Sequence, residues 1–247
     1  MIIGKYTFHP DIILTIIMFI LVALFIRLGV WQLSRAEEKE ALKETMDYRD
    51  SLPPLLVDKQ LKAVSGLRFR KVVVRGSFLA ERQFFLEGRK HRGHAGYHVV
   101  SPLRIEGTDI QVLINRGWVE TGNDWSVLPT VSTPEGPVQV TGMIDIPNKP
   151  PFISAPDADS ERQWGKRWPF IDLDYYVRQT GGAIQPFVVL QSSLDAHGFV
   201  REWPVFNAKR GMHIGYAIQW FAFAAITLVI YLVLSLTRRE EQTEAKT

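Results

Sequence analysis

The chain contains no cysteine, so binding of a nitrogen- or sulfur-seeking metal such as copper falls to its six histidines. His91, His94 and His98 form one cluster, spaced x2 and then x3. Neutral imidazole binds copper or zinc, but a site needs the side chains to converge. On a hairpin, His98 enters a strand while the other two stay in the loop, and a solvated basic loop is the plainer reading. His213 is the other histidine of interest. On a helix, His213, Tyr216, Ala217 and Trp220 share one face, at i, i+3, i+4 and i+7, with Gln219 nearby. Arg27, Trp31 and Gln32 lie at the same depth on a second apolar segment. An imidazole, flat aromatics and a cation are what a haem requires: an axial nitrogen, apolar walls and positive charge for the propionates. An aromatic belt with a capping histidine accounts for the same residues at a membrane interface.

The segments that would carry these residues are apolar. Residues 214–236 contain no charged side chain and would extend roughly 34 Å as a helix, enough to cross a bilayer core. Arg238 and Arg239 follow as interfacial anchors. Residues 12–31 carry one charge, Arg27, whose long stem lets the guanidinium reach the headgroups. With only Lys5 as a basic leader and no small-x-small site after the apolar run, the first segment reads as an uncleaved anchor. Flanking basic residues stand on both sides, so charge alone does not orient the chain, and a long connecting segment can translocate regardless of its charge.

Between the spans the periodicity changes. Residues 35–50 lack helix breakers and prolong the first helix into water until Pro53 and Pro54. The runs 68–76, 82–88, 97–105, 110–119, 137–146 and 186–191 are short, β-branched and partly alternating, which predicts an antiparallel sheet with hairpin connections. Glu106 to Asp109 supplies a tight turn. Residues 147–170, with five prolines and with Asp157, Asp159 and Glu161, read as a long loop whose carboxylates are solvated. Asp172 can cap a short helix that stops at Gly181 and Gly182. The fold class is therefore an α+β membrane protein, two transmembrane helices flanking a β-rich antiparallel domain. Its segments are an N-terminus over 1–11, a span over 12–33, the β-rich domain over 34–212, a span over 213–236 and a tail over 237–247.

Composition narrows the function. The 247 residues carry a net charge of +3, far short of a nucleic-acid-binding domain. Absence of cysteine removes disulfide frameworks, cysteine zinc sites, iron–sulfur clusters and thiol nucleophiles. No G-x-S-x-G, G-x-G-x-x-G, phosphate-binding P-loop or H-E-x-x-H is present, so the chain does not read as an enzyme. Residues 88–93 resemble a phosphate loop only superficially, because no helix follows. Asn115-Arg-Gly-Trp118 reads as a strand-end motif, with Gly117 permitting a turn and Arg116 capping carbonyls.

Several motifs in order resemble the surfeit-locus-one (Surf/Shy) family. Leu28-Gly-Val-Trp-Gln-Leu-Ser-Arg35, with Lys39, is similar to the family's G-x-W-Q-x-x-R-x-x-x-K. Val74-Arg-Gly-Ser-Phe78 is similar to V-x-G-x-F, and Gly96-Tyr97 with Val100-Ser-Pro-Leu103 to G-Y-x-V-x-x-P-L. Val112-Leu-Ile-Asn-Arg-Gly-Trp-Val119 resembles V-L-V-N-R-G-[WF]-V, the most specific of the set. Trp168 to Asp172 resembles a W-x-x-x-D step, and His213-Ile-Gly-Tyr-Ala-Ile-Gln-Trp-Phe221 resembles H-x-x-Y-A-x-x-W-[FY]. Gly211 departs from the family, many members of which have Asn there.

The resemblance implies an assembly factor for haem–copper cytochrome c oxidase that binds haem a and assists its delivery to oxidase subunit I, with haem a synthase as a further partner. It implies His213 as the ligand of the haem iron, lined by Tyr216 and Trp220, with Trp31 on the opposing helix and Arg27 or Arg210 pairing with the propionates. It also implies a bacterial inner membrane, since the first span begins near residue 12, with residues 34–212 in the periplasm. A cofactor-free scaffold for oxidase subunits and a copper-delivery protein using His91, His94 and His98 are the alternatives.

Overall fold

The computed structural model describes residues 2–3, 6–58, 60–122, 124–152, 154–156, 165–203 and 210–238. In chain order its elements begin with β1 (Ile2–Ile3), β2 (Tyr6–Phe8), α1 (Ile12–Ser51), β3 (Leu55–Val57) and β4 (Lys71–Phe78). Next come β5 (Phe84–His91), β6 (His94–Ile105), β7 (Gln111–Glu120), β8 (Pro137–Asp145) and β9 (Arg167–Trp168). The last are α2 (Leu173–Thr180), β10 (Ile184–Gln191), α3 (Arg210–Ser235) and β11 (Leu236–Arg238). Two units result, one of residues 1–45 with 206–247 and one of residues 46–205.

In the first unit, α1 and α3 are long and apolar enough to cross a membrane. Their large apolar side chains, among them Ile12, Phe19, Ile226 and Val233, are mostly exposed. That pattern is costly in water and natural against lipid. Asp11 opens α1 by accepting the Leu14 N–H at 2.9 Å, and the helix stops at Ser51, just before the two prolines. Met18, Gly29 and Ala36 are buried on α1, and Ala217, Ala224 and Tyr231 on α3. Spacings of 7 and 11 residues define one stripe per helix, small at its centre, along which the two backbones approach. A Cβ on Gly29 would lie 2.6 Å from the Phe221 ring. Thr15 Oγ1 and Tyr231 Oη are hydrogen-bonded at 2.9 Å towards the other end of the pair. Beyond the spans, where plain tails were expected, β2 pairs antiparallel with both β1 and β11.

The second unit is a barrel. Strands run in the order β3-β4-β8-β10-β7-β6-β5-β9, and an additional β4–β6 pairing closes β4, β8, β10, β7 and β6 into a ring. The edge of β6 away from β7 is shared: residues 94–100 pair with β5, and Leu103–Ile105 with β4. The main hairpin ladders are antiparallel as expected. Three ladders are not: β3 with β4, β10 with β7, and β5 with β9 run parallel. Strands β3 and β9 are too short to leave a periodic signal, and β9 lies inside the stretch expected as loop. Asp157, Asp159 and Glu161 fall outside the described residues.

Alternation fills the barrel with Val72 and Val74, Val112 and Ile114, Val140 and Ile144, and Phe187 and Val189. The intervening Leu113 and Val188 face outward into a second core with Phe84, Trp168, Tyr175 and Tyr176. Burial on both faces explains the unbroken apolar step Val112-Leu113-Ile114 in β7. The lid of that second core, α2, forms as its sequence predicts: Asp172 accepts the Tyr175 N–H at 3.0 Å and Gly181 ends the helix at φ +68°.

Candidate functional site

His213 lies in the first turn of α3, half-buried, and its Nδ1 is 2.8 Å from Gln32 Oε1 on α1. An amide oxygen only accepts, so Nδ1 is the donor, and in the neutral ring the Nε2 lone pair is left for a ligand. A partner on the far nitrogen that fixes tautomer and ring orientation is the usual setting of a metal-binding imidazole. Trp220, two turns on, stacks against Phe25 at 5.8 Å between ring centroids, and Phe223 packs on both. These aromatics and the close approach of Gly29 to Phe221 give the helix pair an apolar body beginning about two turns from the imidazole.

The other expected residues are placed differently. Tyr216 stands at the margin of the seam, 46% exposed. Arg27 and Trp31 flank Gly29 by two residues on either side, about 200° around the helix, and so turn away from α3. Arg27 is exposed, and Trp31 is 48% exposed with the Arg35 guanidinium 5.7 Å above its ring. Arg210 Nε is 3.6 Å from Glu40 Oε2, so its charge is already partly matched. Gln32, set at the same depth in the sequence, is the residue of α1 that meets His213; its register in the helix seam, three residues after Gly29, is the signal that marks it.

The three clustered histidines do not converge. His91 and His94 face each other across the two-residue turn Arg92-Gly93, both of whose residues have positive φ as a type I′ hairpin requires. His94 Nδ1 is 2.9 Å from Glu120 Oε1, and the His91 ring lies 5.1 Å from that of Trp118. His98 is four residues further along β6, roughly 13 Å away. Its Nδ1 accepts from Asn115 Nδ2 at 3.2 Å, and its ring meets Trp203 edge-on. Burial and the neighbouring Arg89 lower its pKa to about 4, so it is neutral at pH 7. Among the described residues no three His, Asp or Glu side chains come together as a metal site. The copper-delivery alternative therefore lacks its ligand set.

Arg116 is 1% exposed, and among the described residues no carboxylate pairs with it. Its Nη2 donates to the Ser132 carbonyl at 2.9 Å and the His197 carbonyl at 2.7 Å. Nη1 donates to Thr133 Oγ1 at 3.2 Å, and the guanidinium carbon lies 5.2 Å from the centre of the Phe78 ring and 4.9 Å from that of Phe199. Burial and Arg201 lower its pKa to about 10, which leaves it charged at neutral pH. It caps carbonyls, as its motif predicts, and the carbonyls belong to two loops, 16 and 81 residues further along the chain. Gly117, at φ +115°, brings the backbone against Val200 O, where a Cβ would stand 2.7 Å away.

Residues 19–225 match the SURF1 family over most of both units. The chain belongs to the SURF1 family. That family is known in general for cytochrome oxidase assembly factors. The chain is similar to a SURF1-like protein of Rickettsia bellii, 27% identical over 85% of this chain and 86% of the relative. A second SURF1-like protein, from Rickettsia conorii, is 28% identical over 88% and 89%. Surfeit locus protein 1 of Mus musculus is 24% identical over 83% of this chain and 70% of its own length. The span shared with the SURF1 family takes in Gln32, Asn115, Arg116 and His213, so the helix seam and the barrel motif both lie within it.

Proposed function

We propose that this chain is a membrane assembly factor for haem–copper cytochrome c oxidase that binds haem a through His213 and assists its delivery to oxidase subunit I. In this reading α1 and α3 anchor it in a bacterial inner membrane, the barrel stands in the periplasm, and haem a synthase is the donor. Haem a is cargo rather than a resident catalyst, and no catalytic residue is assigned. The observation that carries the reading is the Gln32–His213 hydrogen bond, which commits Nδ1 and leaves Nε2 free to bind iron. Trp220 and Phe25 form an apolar aromatic stack two turns further along the same helix pair. Of the two arginines, Arg210 adjoins His213 in the first turn of α3, whereas Arg27 faces away from the seam.

The test is purification from a haem-a-producing host, with haem quantified by absorption and extraction. His213→Ala is expected to abolish stoichiometric haem, and Gln32→Leu to weaken binding about 10- to 100-fold. Haem content unchanged in His213→Ala overturns the ligand assignment. If His213→Ala also leaves oxidase assembly intact, the cofactor-free scaffold is the better account.

A further inference from the structure

A cleft of about 250 Å³ opens on the barrel unit, bordered by Arg89, His98, Asn115, Phe170 and Trp203. Three observations bear on what it would hold. First, the Nε of Arg89 is buried and donates no hydrogen bond, and among the described residues no carboxylate pairs with this side chain. Second, Asn115 fixes the adjoining imidazole. Its Oδ1 accepts the Gly117 N–H at 3.3 Å, which sets the amide, and its Nδ2 then donates to His98 Nδ1 at 3.2 Å. His98 Nε2 must therefore carry the proton of the neutral ring, as a donor with no acceptor among the described residues. Third, the rest of the lining is largely apolar, with Phe170 and Trp203 as flat walls.

The charges can be counted. Asp145 also borders the cleft, but Arg68 holds it with both Nε and Nη2 at 3.2 Å. His98 is neutral, so the site carries one uncompensated positive charge, that of Arg89. A guanidinium and an N–H donor facing apolar walls recognise a carboxylate on an apolar body. A cavity near 150 Å³ takes a benzene ring, so about 250 Å³ takes a ring with a short acidic arm.

We propose that this cleft binds a small aromatic monocarboxylate, whose carboxylate is held by Arg89 and His98 and whose ring packs against Phe170 and Trp203. The site uses no residue of the helix pair and does not depend on haem binding.

Phenylacetate titrated into the detergent-solubilised full chain, followed by calorimetry and Trp fluorescence, tests it. Binding with a Kd below about 1 mM is expected. The uncharged isostere 2-phenylethanol, on the same wild-type protein, is expected to bind at least tenfold more weakly. Arg89→Gln should remove that preference, raising the phenylacetate Kd at least tenfold while leaving the alcohol unchanged. No binding of phenylacetate at 10-fold the expected Kd (about 10 mM) overturns the proposal, as does equal affinity for acid and alcohol. Because the isostere comparison needs no variant, loss of folding in Arg89→Gln does not obscure the answer.

Discussion

Two histidines of this chain are held by amide side chains, with opposite results. Gln32 presents its oxygen to His213, so Nδ1 is the donor and, in the neutral ring, Nε2 is a lone pair. Asn115 presents its nitrogen to His98, so Nδ1 accepts and Nε2 is a donor. One imidazole is thereby set as a ligand and the other as a hydrogen-bond donor. The second has a measurable pH signature. His98 has a folded pKa near 4, below the ordinary 6.5. The unfolded chain takes up the proton first, so stability falls as pH drops below 6.5 and the loss levels off below about pH 4. The cost is about 2 kcal/mol by pH 5 and about 3 kcal/mol at the plateau. Unfolding midpoints of the full chain in detergent at pH 7 and pH 5 are expected to fall further for wild type than for His98→Gln. Equal slopes would show that burial does not hold His98 neutral.

The helix seam is decided by a few small residues. Gly29 lets α1 approach α3 at Phe221, and the Gln32–His213 bond lies one turn further along the same stripe. The clash in Gly29→Ala is with the far end of one ring, which can rotate, so that change is expected to cost less than about 1 kcal/mol. Gly29→Leu has no such escape and should cost about 1–3 kcal/mol and part Gln32 from His213. Unfolding by SDS in mixed micelles reads the first effect, and the ring 15N shifts of His213 read the second. A Leu variant as stable as wild type, with His213 unshifted, would refute the packing. In the barrel, β7 is the counterpart: buried on both faces, it places Leu113 in one core and Val112 and Ile114 in another, so Asn115 and Arg116 leave it in a fixed direction.

For the whole molecule the prediction concerns orientation, and the absence of cysteine makes it easy to test. A single cysteine introduced at exposed Lys90, on the β5–β6 hairpin, is the only thiol in the chain. A membrane-impermeant maleimide applied to spheroplasts should label Lys90→Cys fully if the barrel is periplasmic. Labelling only after lysis would place it on the cytoplasmic side and remove the proposed topology.

Sequence alone determined the elements whose physics is local. Apolar runs over 12–31, with the single charge Arg27, and over 214–236, with none, specify the spans, alternation specifies the six longer strands, and the Asp172 and Gly181 caps specify α2 with its ends. The histidine at the head of α3 and the carbonyl-capping Arg116 were also legible, because residue type and motif constrain them. What only the tertiary structure decided depends on pairs distant in sequence. Barrel closure through β4 and β6, the parallel ladders of β3, β9 and β10, and the separation of His91, His94 and His98 all follow from register. That Gln32, of the three residues Arg27, Trp31 and Gln32 at one depth, meets His213 has the same origin. Membrane depth can be read from a sequence, but the rotation of a helix about its axis is set by the helix against which it packs.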